Sequence, residues 1–341
     1  MKTFLIILSV VIILVGVALV FFTLVANDFD FRKIGKDNSV TTSYEISDGF
    51  ESLVILDALG YHDVKIEKSG SDKCEIVHTG KDYVRLDREV NDGALVLKTV
   101  NTKGFFGRFS LFDFSSSQIT VSVPEKEYEK LTVDTASGDV RISGLNAKSV
   151  TVDTASAGVY LNDMTLETLT LETTSGDISL TDVIVSGKAE IELTSGDSNL
   201  NNLSVGSLEI ETGSGDVKIR DLFAEGSVDI ETVSGDVEIF KANAKSLSID
   251  VTSGDIELQS FLATESITLE AASGEIDFDS CDALKIRIET TSGDVDGTLL
   301  TAKSFDAKAS SGDVRVPSND GNGGTCFVRT GSGDIVIRIA D

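Results

Sequence analysis

The chain has 341 residues, 56 of them Asp or Glu against 29 Lys or Arg, for a net charge of −27. That balance excludes a phosphate-tracking nucleic-acid partner, which needs the opposite sign. It also sets the chain against anionic lipid or polymer surfaces unless cations intervene.

An apolar run from Phe4 to Ala26 is long enough to cross a bilayer as a helix and too long for a cleaved signal. We therefore expect an uncleaved transmembrane anchor over 1–26. Lys2 precedes the run, Arg32, Lys33 and Lys36 follow it, and Asp28 and Asp30 flank its exit. A three-residue tail stays inside more readily than a long domain does, so the expected topology is single-pass in the cell membrane with an extracytoplasmic remainder. Residues 27–47 read as a polar stalk.

Residues 48–123 are β-rich but outside the repeat described next, and are expected to form a cap domain over the first coil. Within them "FFGRFSLFDF" gathers Phe105, Phe106, Phe109, Phe112 and Phe114. Such a cluster either plugs the coil end or forms a contact patch for membrane or a partner.

From residue 124 to the end the chain is periodic. Ser-Gly-Asp or a close variant recurs at Ser137, Ser156, Ser175, Ser195, Ser214, Ser234, Ser253, Ser273, Ser292, Ser311 and Ser332, spaced 19 to 21 residues apart. Positions six and four before each serine are apolar in nearly every copy, as in Leu131 and Val133 or Leu208 and Ile210. Alternation resumes after the tripeptide, and another apolar column stands eight residues past the serine, where it is expected to anchor a return turn. Period-two alternation at a fixed repeat of about 20 residues predicts stacked strands, because one unit cannot bury its own apolar face. The expected fold is all-β: a single-stranded β-solenoid of about eleven 19–21-residue coils, with Ser-Gly-Asp as its corner.

Two acidic columns flank that corner. One stands three residues before the serine. The other stands two residues after it, at Asp139, Asp177, Asp197, Asp216, Asp236, Asp255, Glu275, Asp294, Asp313 and Asp334. The second column either accepts turn hydrogen bonds or, through Asp139, Asp177, Asp197, Asp216, Asp236, Asp255, Asp294 and Asp313, holds a divalent cation such as calcium. The glycine-rich calcium nonapeptide is absent, and no other cofactor is expected. A threonine column two before the serine has the parity of the core. Cys74, Cys281 and Cys326 have no metal-ligand spacing and read as core filler.

Tandem "TxSGDV" units after the lead-in "ITVSVPEKEYEKLTVDTASGDV" at 119–140 resemble the bacterial putative-adhesin family of β-strand-repeat proteins of unknown function. The resemblance spans roughly 48–341 and implies a solenoid displayed at the cell envelope, with no catalytic residue to carry over. With His62 and His78 the only histidines and no nucleophile motif present, the expected function is a non-enzymatic, membrane-anchored scaffold or adhesin-like binder. Its partner would be an envelope protein or glycan. The alternatives are a divalent-cation-dependent, self-associating structural module and a carbohydrate-active β-helix enzyme.

Overall fold

The computed structural model describes residues 39–102, 117–318 and 322–340. All of their regular structure is β, and 23 strands join in one hydrogen-bonded sheet that winds into a β-solenoid of about ten turns. The expected anchor over 1–26 and the phenylalanine cluster at 105–114 lie outside the described residues. Among the described residues no helix is long and apolar enough to cross a membrane.

Strands β8 (Glu127–Ser137), β9 (Val140–Ser156), β10 (Val159–Ser175), β11 (Ile178–Ser195) and β12 (Ser198–Ser214) carry the repeat. Each pairs in parallel with the next. Val140 lies beside Val159 and Val159 beside Ile178; likewise Val152 lies beside Leu171 and Leu171 beside Ile191. The pairing offset equals one repeat, so equivalent side chains lie over one another and apolar columns become continuous interior ladders.

The burial pattern shows how one long strand closes a winding. In β9 the buried residues are Val140, Ile142, Leu145, Ala147, Val150, Val152 and Thr154, each at most 2 % exposed. Steps of two keep a side chain on one face, whereas the steps of three at 142→145 and 147→150 would throw it outside on a straight strand. The core stays inside because the backbone bends at both steps, which gives each winding three sides. The first bend falls seven residues past the serine, in the left-handed region: Gly144 (φ 69°), Asp163 (φ 53°), Asp182 (φ 55°), Asn202 (φ 53°), Asp221 (φ 53°), Lys241 (φ 58°), Ser260 (φ 55°) and Ser280 (φ 55°). The apolar residue at +8, expected to anchor a return turn, is thus the first inward residue after the bend.

The order of stacking is not the order of the chain at either end. Seven strands precede the repeat: β1 (Ser39–Ile46), β2 (Ser52–Asp57), β3 (Asp63–Lys68), β4 (Cys74–Lys81), β5 (Val84–Asn91), β6 (Ala94–Asn101) and β7 (Gln118–Val123). The stretch read as lying outside the repeat register in fact continues it. Leu53 in β2 pairs in parallel with Leu131, and Val64 in β3 with Val140, so β2 and β3 form one more arch. Strands β6 and β7 form a second arch beyond that one. Antiparallel strands then close the end: β5 on β6, β4 on β7, and β1 on β4.

The middle windings continue through β13 (Val217–Ala224), β14 (Ser227–Ser234), β15 (Val237–Ser253), β16 (Ile256–Ser273), β17 (Ile276–Cys281), β18 (Lys285–Ser292) and β19 (Val295–Leu299). At the C-terminal end follow β20 (Ser304–Ala309), β21 (Val314–Arg315), β22 (Thr325–Ser332) and β23 (Ile335–Ile339). The last repeat lies inside the previous one: β22 pairs with both β18 and β20, and β23 with both β19 and β21. The three cysteines are free and buried in the core.

Candidate functional site: an acidic face along the solenoid

The corner explains the tripeptide. Its glycines adopt φ between 106° at Gly138 and 149° at Gly176 and Gly293, a region that side chains disfavour. Contact is equally restrictive, since a Cβ at Gly235 would lie 2.1 Å from the carbonyl oxygen of Gly215 in the neighbouring winding. Through that close approach the main chain bonds from winding to winding; Gly215 N donates to Ser234 O at 2.9 Å, and Val217 N to Asp236 O at 2.9 Å.

Aspartate completes the corner. The Oδ1 of Asp177 accepts the backbone N–H of Asp197 (3.0 Å), Asp197 that of Asp216 (2.9 Å), Asp216 that of Asp236 (3.1 Å), Asp236 that of Asp255 (2.9 Å), and Asp255 that of Glu275 (2.8 Å). At the C-terminal end Asp294 accepts from Asp334 and Asp334 from Asp313, both at 2.8 Å. Asp139 accepts from Gly158 at 3.2 Å, and its own N–H is taken by Asp63 at 3.0 Å. The eight aspartates weighed as cation ligands therefore stand in three runs of this bonding, seven of them accepting through the carboxylate and Asp313 only donating its N–H. Among the described residues no group of three or more His, Cys, Asp or Glu is placed to hold a metal ion.

The ladder breaks where the tripeptide varies. In the "SAG" copy Ala157 is buried and Gly158 occupies the aspartate's place, so it donates to Asp139 but has no carboxylate to pass on. In the "SGE" copy Glu275 donates to Asp255, and no bond from its longer side chain to Asp294 continues the series among the described residues.

The other acidic column is different in kind. Asp134, Asp153, Glu172, Glu192, Glu211, Glu231, Asp250, Glu270 and Glu289 lie beside one another in unbroken register over nine windings, and the column then ends on Arg329 and Lys308. Arg287 reaches Glu270 at 3.8 Å and Glu289 at 2.5 Å. From Asp134 to Asp250 none of the seven has an ion-pair partner among the described residues. Glu172, Glu192, Glu211 and Glu231 border an open groove of about 450 Å³ that Thr174 and Thr194 also line. Burial pushes the Glu192 carboxyl above its usual range, and the neighbouring charges of Glu172 and Glu211 push it further. The inward threonine column lies behind this face: the hydroxyls of Thr154, Thr173, Thr212, Thr232 and Thr290 are buried without a hydrogen-bond partner among the described residues.

Two buried polar clusters were not anticipated from sequence. Asp57, His62, His78 and Thr99 meet under the N-terminal strands, and Lys303 is enclosed near the C-terminal end by Asp282, Ala283 O, Thr301 and Gly323 O. The first had one signal, the confinement of the only two histidines to residues 62 and 78.

Fold and site together define a β-solenoid repeat protein with a main-chain-bonded corner and one acidic face. The chain belongs to the Toastrack DUF4097 family, whose model matches residues 51–260 and 226–341. Among solved structures it is similar to one described as a putative adhesin from Parabacteroides distasonis, at 15% identity and a TM-score of 0.40 over 89% of this chain and 98% of that one. A second, described as a putative adhesin from Parabacteroides merdae, matches at 16% identity and 0.38 over 90% and 98%. A third, described as a putative lipid binding protein from Parabacteroides distasonis, matches at 16% identity and 0.37 over 90% and 98%. A search of curated proteins finds no match.

Proposed function

We propose that this protein is a membrane-tethered, non-enzymatic scaffold at the cell envelope whose solenoid offers its acidic face to a positively charged segment of a partner. The apolar run 4–26 supplies the tether, with the solenoid outside. The carrying observation is the row of seven carboxylates from Asp134 to Asp250 without ion-pair partners among the described residues. Spaced at the strand separation of about 4.8 Å, such neighbours repel by about 1 kcal/mol in water and about 3.5 kcal/mol at an effective dielectric of 20. A cationic partner relieves that repulsion, and a rigid row presents many charges with little ordering entropy still to lose.

The test is binding of a lysine-rich peptide to the full chain in nanodiscs. At 50 mM salt the wild type is expected to bind at least tenfold more tightly than the triple variant Glu192→Gln, Glu211→Gln, Glu231→Gln, with the difference collapsing as salt screens the face. Equal binding by the two proteins would remove the acidic face from the proposal. The tether is read separately: the full chain should resist alkaline extraction from membranes, with residues 48–341 open to added protease.

A further inference from the structure

His62 and His78, the only histidines of the chain, come from different structural layers and meet in a buried site. His62 lies on the corner between β2 and β3, the arch stacked directly on the repeats. There Asp63 accepts the N–H of Asp139, and the carbonyl of His62 lies where a Cβ on Gly138 would stand, at 2.4 Å. His78 belongs to β4, one of the antiparallel strands that close the end. Both are buried, at 0% and 3% exposure, and their Nε2 atoms face each other at 3.4 Å.

The far side of His62 is fixed. Asp57 Oδ1 takes its Nδ1–H at 3.0 Å, and Oδ2 takes its backbone N–H at 2.9 Å. Thr99 Oγ1 donates to the same carboxylate at 2.7 Å and Thr135 Oγ1 at 3.4 Å. With Nδ1 protonated against a carboxylate, neutral His62 turns a lone pair toward His78, which supplies the single proton between the rings. One added proton can be balanced by Asp57. A second leaves two N–H groups facing each other and two positive rings against one carboxylate, in a site without water-exposed surface.

We infer that the His62–His78 pair is an acid-sensitive latch that holds the antiparallel N-terminal strands on the solenoid and releases them when the second imidazole is protonated. The groups around the pair act in one direction. Asp57 from β2 is bonded to His62 and Tyr61 stacks on it, and among the described residues no second carboxylate is bonded to either ring. Ile119 of β7 and Thr42 of β1, the register neighbours of His78, carry no charge. Gly80 fits against both rings: a Cβ there would lie 2.8 Å from His78 Nε2 and 3.3 Å from His62 Nε2. A metal ion between the rings would lack a third His, Cys, Asp or Glu ligand among the described residues.

Burial and the His62 ring hold the His78 imidazole down at about 4. A histidine depressed in the closed state takes up its proton on opening, so closure is favoured above the ordinary value near 6.5 and weakens as pH falls toward 4. Hydrogen exchange of the full chain, corrected for intrinsic rates, reads this directly. Protection of β4 is expected to fall about 30-fold between pH 7.5 and 5.0 while Val140–Ser253 stays unchanged. His78→Gln is expected to abolish the difference, and imidazole ¹⁵N shifts of wild type to show His78 still neutral at pH 5.0, as a closed-state value of about 4 requires. An unchanged β4, an equal loss in the repeats, or pH dependence that persists in His78→Gln would each overturn the latch. So would strengthening of β4 by added zinc, which would make the pair a metal site.

Discussion

At the corner a glycine is fixed by two independent restraints, and the two can be told apart. Gly144 and Gly235 both have positive φ, 69° and 137°. A Cβ on Gly144 finds nothing nearer than Lys68 Cβ at 3.7 Å, whereas a Cβ on Gly235 would enter the Gly215 carbonyl. Gly144→Ala therefore costs the torsional term alone, about 1 kcal/mol. Gly235→Ala must also push apart neighbouring windings that bond to each other on either side of the contact, and is expected to cost more than about 3 kcal/mol. Urea unfolding of both variants checks the contrast; similar losses would mean that torsion, not inter-winding contact, selects glycine. This half of the corner was legible in sequence because glycine has few other reasons to recur at fixed spacing. The partner of each aspartate was not, since Asp in a turn usually bonds within its own turn. Here it reaches the next winding, visible only once the stacking register is known.

At the level of the element, the bend at +7 shows why some structure escapes a sequence. Its occupants are Gly, Asp, Asn, Lys and Ser, which share a left-handed backbone but no chemistry, so no column stands out. The odd step from Ile142 to Leu145 was the available signal, because strict alternation cannot place both inside. The reversed stacking at the ends left no trace at all: every repeat offers the same apolar ladder, and a winding fits above or below any other. At the C-terminal end the observed order brings together the partners of Lys303. This lysine is 1% exposed, and its Nζ donates to Ala283 O at 2.7 Å and Thr301 Oγ1 at 2.8 Å, and also to the Asp282 carboxylate and Gly323 O. These partners lie on the three connections that let the last repeat enter beneath the one before it. Lys303→Met keeps the volume but leaves buried oxygens without a donor, at a cost of about 3 kcal/mol. The damage is expected to be local: exchange of Ser304–Ala309 should accelerate while Val140–Ser253 keeps its protection, as stability in a stacked repeat is a sum of neighbour terms. Uniform loss along the whole solenoid would show instead that the end arch nucleates the rest.

Over the whole molecule two ladders of like charge run side by side, and their chemistry differs. The corner aspartates, Asp313 with its Arg315 partner apart, are offset by a charge-assisted bond from a backbone N–H, so their repulsion is partly compensated winding by winding. The outer column from Asp134 to Asp250 has no such donor among the described residues, and the charge in it is concentrated as the chain composition foreshadows: residues 131–341 hold 37 acidic against 14 basic side chains. Glu192 lies at the middle of that row, with its carboxyl raised by burial and by Glu172 and Glu211. An acid raised in the folded state binds its proton more tightly there, so its destabilising effect grows as pH rises through the raised value and fades below the unfolded one. That is the opposite sign to His78, and it places the two effects at different positions along the rod. Screening should act as protonation does. Melting of the full chain at pH 7.5 is expected to rise as sodium chloride goes from 10 to 200 mM, since the Debye length falls from about 30 Å to below 10 Å and the longer-range share of the repulsion along the row is lost. Glu192→Gln should raise the midpoint at 10 mM salt and reduce the salt response. A midpoint indifferent to both salt and substitution would mean that water alone already screens the row, leaving no electrostatic strain for a cationic partner to relieve.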